Sequence, residues 1–251
     1  MRVQEFGTEN SRVILFLHGG GLSWWNYREE AALLQQEFHV VIPVLDGHAG
    51  SDRHFSTIAD NAEGMISYID AHFGGSVWCI GGLSLGAQIL VEMLSRRKDI
   101  CQYAVIESAL VIPSEWMKRM ILPAFGASYG LVKQRWFARL QFASLKIRKD
   151  LFEDYYRDSC RIAKEDMIAF LEENSVYRMK EALRLTRANT AVIVGGREQQ
   201  KMKKSAKLLQ AAIPGSRLYV LPGFYHGDFS INHAGEYVEL LRKLMAVAKE
   251  G

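Results

Sequence analysis

The run Gly82-Leu83-Ser84-Leu85-Gly86 sets a serine between glycines two residues away on either side. It follows the apolar segment Val77-Trp78-Cys79-Ile80 and opens a helix-period stretch at residues 85–96. A serine held on a tight strand-to-helix turn adopts strained backbone angles, so the residues packed against it must be small. Such a turn lifts the hydroxyl clear of a sheet, and the helix behind it points N–H groups at any oxyanion that develops there. Ser84 is the candidate nucleophile. A turn that merely packs a helix on a strand would use the same glycines without chemistry, so neighbouring residues must decide.

A serine hydroxyl needs a base within hydrogen-bond reach. His226, in Leu221-Pro222-Gly223-Phe224-Tyr225-His226-Gly227, stands just past the last strand-like run and is the candidate base. His39, His48, His54, His72 and His233 read as surface or capping residues, and His18 as structural. A second glycine run, Leu17-His18-Gly19-Gly20-Gly21, ends an early strand, where backbone can approach a substrate closely. The N–H groups of Gly20 and Leu85 are the candidate oxyanion donors, with Leu22 in reserve. Gly21, Trp24 and Trp25, beside that loop, are candidate substrate-binding residues. A phosphate loop is excluded, because neither GxxxxGK[ST] nor GxGxxG is present.

A carboxylate should orient the imidazole and stabilise its cation. The chain order serine, acid, histidine points to Glu198 in Gly195-Gly196-Arg197-Glu198. Glu107, at the end of Tyr103-Ala104-Val105-Ile106, is the competitor, and Asp228 lies too close to His226 in sequence.

The elements that must position these residues alternate. Strand-like apolar runs at 12–17, 38–44, 76–80, 102–106, 190–194 and 217–221 mostly lack polar alternation, as strands buried on both faces do. Helical periodicity covers 26–37, 58–73, 85–96, 201–212 and 234–249. This pattern predicts an α/β protein with a mostly parallel central sheet and helices on both faces. Residues 112–185 hold no convincing strand. They read as helical pieces at 114–122, 133–145, 151–163, 165–173 and 175–185, punctuated by Pro113, Pro123, Gly126 and Gly130. The expected organisation is a core of residues 1–111 and 186–251 with a helical cap at 112–185. Trp116, Met117, Phe125, Tyr129, Trp136, Phe137 and Phe142 are candidates to line an apolar pocket beneath that cap.

Composition sets the limits. The 251 residues are 49% apolar and 24% charged, an ordinary globular balance. A formal net charge of +3 is too mild to argue for nucleic acid. The three cysteines, Cys79, Cys101 and Cys160, form neither a CxxC pair nor a ligand set. Buried free thiols favour a reducing compartment. With no apolar leader and no run long enough to span a membrane, a cytoplasmic location is expected. The expected partner is a small-molecule substrate, with no metal or organic cofactor. Oligomeric state is not legible.

With these residues in view, the chain resembles the α/β-hydrolase superfamily along nearly its whole length. The resemblance rests on His18-Gly19-Gly20, Asp46-Gly47-His48-Ala49-Gly50-Ser51, the Ser84 turn, Gly195-x-x-Glu198 and Pro222-Gly223-x-x-His226. The order is similar to that of the smaller capped members. The resemblance implies Ser84 as nucleophile, His226 as base, Glu198 as acid and the N–H groups of Gly20 and Leu85 for the oxyanion. Two departures stand out: the family usually has Asp where this chain has Glu198, and it often opens with a hairpin for which few residues precede residue 12. The expected activity is a serine hydrolase cleaving a small or medium carboxylic ester through an acyl-enzyme. Other chemistry in the same pocket (C–C bond hydrolysis, lyase, thioesterase or amidase activity) and a non-catalytic ligand-binding protein are the alternatives.

Overall fold

The computed structural model describes residues 1–247. Seven strands form one sheet: β1 (Val3–Phe6), β2 (Val13–Leu17), β3 (His39–Pro43), β4 (Val77–Leu83), β5 (Cys101–Glu107), β6 (Asn189–Gly195) and β7 (Arg217–Leu221), in the order β1-β3-β2-β4-β5-β6-β7. Six strands run parallel, and β1 alone is antiparallel, pairing Val3–Phe6 with β3. β1 was not foreseen as a strand; it makes the short antiparallel edge that the few residues before β2 allow. Because β2, β4, β5, β6 and β7 are parallel, their C-terminal ends share one rim.

Strand residues alternate between two buried layers. In β2, Val13, Leu15 and Leu17 enter one core cluster while Ile14 and Phe16 enter the other. Both layers are apolar, which is why β2 carries no polar alternation. The first layer is covered by α2 (Ile58–Phe73), α3 (Leu85–Arg96) and α8 (Gln200–Ala212), the second by α1 (Arg28–Leu34) and α10 (Ala234–Val247). Residues 248 and 249 of the last expected helix lie outside the described residues. A short helix, α9 (Asp228–Asn232), directly follows the His226 loop and was not foreseen.

Between β5 and β6 lie α4 (Glu115–Val132), α5 (Arg135–Leu145), α6 (Phe152–Ser159) and α7 (Lys164–Val176). Two expectations are corrected here. A break at Pro123 was expected, but α4 runs through it, packed along α7; tertiary packing overrides one lost backbone hydrogen bond. A helix over 175–185 was also expected. Instead α7 ends at Val176, and a 3-10 turn follows only at Glu181–Leu185. The extended link between them is tied down by Tyr177 and Lys180, which both bond the Glu92 carboxylate on α3.

Cys79 and Cys101 are buried free thiols. Among the described residues no helix is long and apolar enough to cross a membrane.

Candidate active site

Ser84 closes the turn between β4, the central strand, and α3. Its φ of +52° and ψ of −109° put a non-glycine residue where L side chains are strained. The flanking glycines are demanded by contact. A Cβ on Gly82 would fall 2.6 Å from the Gly86 carbonyl oxygen, and one on Gly86 only 2.1 Å from the Leu17 carbonyl oxygen. The Ser84 N–H donates to the Glu107 carbonyl at 2.9 Å, fastening the turn to the end of β5.

The loop after β7 reaches the same place. Gly227 packs so tightly on Leu83 that a Cβ there would lie 3.1 Å from Leu83 Cδ2. The preceding His226 lines a cavity of about 190 Å³ together with Ser84, Gly19, Gly20 and Gly21. Among the described residues no hydrogen bond joins Ser84 Oγ to His226; such bonds commonly tighten only when substrate is present. His226 Nδ1 faces Glu198 Oε2 at 2.7 Å. Glu198 Oε1 accepts from Ser108 Oγ and from the Gly195 N–H, each at 2.7 Å. Burial alone would raise the Glu198 carboxyl, but the His226 bond and charge, Ser108 and Gly195 outweigh it and hold it below its usual value. Partial desolvation in the cleft opposes charge on the half-exposed His226, and the Glu198 hydrogen bond and charge overcome it, so the imidazole sits above its usual value.

Glu107 is buried nearby at the tip of β5. Its Oε1 accepts from the Ser230 N–H at 3.3 Å, while Oε2 has no partner among the described residues. Burial raises its pKa to about 7. Of the two candidate acids, Glu198 is therefore the one bonded to His226 and the one held ionised.

The glycine loop sorts its own N–H groups. Gly19 donates to Asn26 Oδ1 at 3.1 Å, Gly21 to His48 Nε2 at 3.0 Å, and Leu22 to the Gly19 carbonyl at 3.1 Å. Gly20 N–H keeps no partner among the described residues, and neither does Leu85 N–H. The two residues adjoin: a Cβ on Gly20 would lie 3.5 Å from Leu85 Cβ. Leu22, held in reserve from sequence, is occupied.

Several expectations for the pocket are corrected. Neither Trp24 nor Trp25 lines the Ser84 cavity. Trp25 is buried and donates to Asp158 Oδ2 at 2.9 Å, and Trp24 packs against Phe6 and Arg28. The 3-10 turn Trp24–Tyr27 carries both side chains away from the loop they follow. Of the seven aromatic and methionine candidates in the helical stretch only Phe125 lines the cavity. Trp116 and Trp136 are exposed, and Phe142 is buried against Phe152 and Tyr155. The walls are instead Val132, Leu145, Ile147, Ile162, Met167 and Phe170 from that stretch, with Leu22, Leu83 and Ile231 from the core. Among the described residues no Asp, Glu, Lys or Arg lines this cavity.

Three supporting residues were missed from sequence: Ser108, Asn26 and His48. His48 is buried rather than a surface group. Its Nδ1 donates to the Asp46 carbonyl, which leaves Nε2 to accept from Gly21. Burial lowers its pKa to about 4, so the ring is neutral. Among the described residues no three metal-ligating side chains come together.

A profile of the alpha/beta hydrolase family matches residues 14–240. The chain belongs to that family. None of the curated proteins compared matches it in sequence. Solved structures match it closely in fold. A thermophilic esterase from Thermogutta terrifontis is 18% identical, with a TM-score of 0.76, over 97% of this chain and 93% of its own. The enol-lactonase from Burkholderia xenovorans is 16% identical, with a TM-score of 0.79, over 98% and 96%. A meta-cleavage product hydrolase from Pseudomonas fluorescens is 14% identical, with a TM-score of 0.79, over 98% and 94%. At these identities the likeness is one of fold.

Proposed function

We propose that the protein is a serine hydrolase that cleaves a small or medium carboxylic ester through an acyl-enzyme. The observation that carries this reading is the strained Ser84 at one wall of an apolar cavity that His226 also lines, with Glu198 bonded to the far nitrogen of that histidine. In the proposed cycle His226 Nε2 takes the Ser84 proton as Oγ attacks the ester carbonyl. The Gly20 and Leu85 N–H groups receive the oxyanion, and one such donor is worth roughly 3–4 kcal/mol. Glu198 keeps the His226 proton on Nδ1 and stabilises the imidazolium. His226 then protonates the leaving oxygen, and water repeats the attack on the acyl-enzyme. This cycle calls on no metal or organic cofactor.

The walls favour an uncharged, apolar acyl group, because a charged one would lose its hydration without a compensating partner. Residues 112–185 act as a cap over the Ser84 cavity in this reading. A cytoplasmic location is part of the proposal and is supported by the buried free thiols Cys79 and Cys101.

Labelling with a fluorophosphonate probe and hydrolysis of short 4-nitrophenyl esters test it. Wild type should be labelled and active, and Ser84→Ala should lose both. Labelling without ester turnover would move the reaction to another class in the same pocket, and absence of labelling would remove Ser84 as nucleophile.

A further inference from the structure

His226 and Leu145 line two cavities. One is the apolar cavity they share with Ser84. The other, about 350 Å³, is edged by Lys146, Arg197 and Lys201. Its single acid among the described residues is Glu198, whose carboxylate is turned inward on His226, Ser108 and the Gly195 N–H. None of the three cations has a carboxylate partner among the described residues.

Tyr225, the residue before His226, gathers two of them. Arg197 Nη1 donates to Tyr225 Oη at 2.7 Å, with its guanidinium carbon 5.3 Å from the ring centroid, and the Lys146 ammonium lies 6.0 Å from the same centroid. Lys201 is half-buried, and among the described residues its Nζ meets only Met117 Sδ, at 4.0 Å. Burial pulls its pKa below the usual lysine value. Three like charges around one concavity repel one another and focus a positive field into it.

The chemistry of the first cavity says which part of a substrate arrives here. His226 must reach the leaving oxygen to protonate it, so the leaving group begins at His226. The imidazole is 46% exposed, and the cationic cleft opens along the wall it forms. We propose that this cleft is a subsite for an anionic oxygen group, carboxylate or phosphate, carried on the leaving-group half of the substrate. The division into acyl and leaving halves rests on the serine-hydrolase reading; the affinity of the cleft for an anion does not.

Non-hydrolysable ethers test the subsite without turnover. Binding of 4-butoxybenzoate, 4-butoxyphenyl phosphate and neutral 4-butoxybenzamide would be measured by calorimetry. Wild type should bind at least one anionic ether about tenfold more tightly than the amide, the sum expected of a few partly exposed charge pairs. Which anion gains more distinguishes carboxylate from phosphate. The preference should shrink as salt is raised, disappear in Arg197→Gln/Lys201→Gln, and survive in Arg197→Lys. Equal binding of anionic and neutral ethers by wild type, or a preference insensitive to both salt and the double substitution, would overturn the subsite. The salt series needs only wild type, so it stands even where a variant folds poorly. Turnover of 4-nitrophenyl butanoate by the same wild-type protein reads the reaction separately. Its absence beside an intact anion preference would refute the hydrolase reading alone, and its presence without that preference would refute the subsite alone.

Discussion

Glu107 ends β5 and Glu198 follows the neighbouring β6, yet their carboxyl groups are held in opposite states. Glu198 is bonded by His226, Ser108 and the Gly195 N–H and stays ionised. Glu107 has one long bond from the Ser230 N–H, and burial raises it to about 7. Of the two, the first is bonded to the imidazole that would take a proton from Ser84 in the proposed cycle.

The two carboxyls therefore predict unequal substitutions. Glu198→Gln should lower kcat on 4-nitrophenyl butanoate by about 10³–10⁴-fold, since an amide can select the wrong imidazole tautomer. Glu107→Gln should stay within about tenfold of wild type, as expected of a group that does not touch the base. Steady-state kinetics on both variants decides, and the reverse ranking would make Glu107 the acid.

Glu107 also leaves a mark on stability. Its folded pKa, about 7, lies above the usual 4.5. Between those values the folded chain keeps a proton that the unfolded chain has released, so stability falls as pH rises through that window. The full penalty, about 3–4 kcal/mol, is reached above pH 7 or so. Glu107→Gln removes it. Urea unfolding of both proteins should show the variant gaining on wild type from pH 5 to pH 8; a constant difference would place the Glu107 titration elsewhere.

The His226 imidazole predicts a pH–rate profile. Partial desolvation opposes its protonation, but the Glu198 hydrogen bond and charge prevail and raise its pKa. The active form is the free base, so the acidic limb of kcat/KM should lie above the ordinary histidine value of about 6.5. In Glu198→Gln the surviving activity should carry that limb to lower pH, because the charge that stabilises the imidazolium is gone. An unmoved limb would mean that another group titrates.

Much of this was legible because the demands were local. The glycines around Ser84 are required by contacts within a few residues, and the unbroken apolar runs follow from burial on both faces of a sheet. Residues whose partners are distant in sequence left no trace. Ser108 meets Glu198 across 90 positions, and His48 meets Gly21 across 27. Trp24 and Trp25 misled because proximity along the chain to the glycine loop was taken for proximity to its cavity, and one turn of 3-10 helix separates the two. Pro123 misled in the opposite sense: a local rule yielded to the packing of α4 on α7.

His48 offers the most direct test of how the glycine loop is held. Its ring is stacked on Phe170, with centroids 4.8 Å apart, and its Nδ1 is committed to the Asp46 carbonyl. The neutral Nε2 is thus aimed at the Gly21 N–H. That bond fixes the peptide next to Gly20, whose own N–H has no partner among the described residues and is the proposed oxyanion donor. In His48→Leu the Gly21 N–H loses its acceptor, at a cost of about 1–3 kcal/mol when the group stays buried. The Gly20 N–H loses its aim as well, so kcat should fall by about 10–100-fold, somewhat less than the loss of a whole oxyanion donor, with KM moving less. His48→Gln, which can present an amide oxygen to the same N–H, should recover part of both. Chemical denaturation and kcat on the two variants separate the outcomes. If His48→Leu loses stability but keeps kcat, the Gly19–Leu22 turn alone holds Gly20 in place, and the histidine serves only the core.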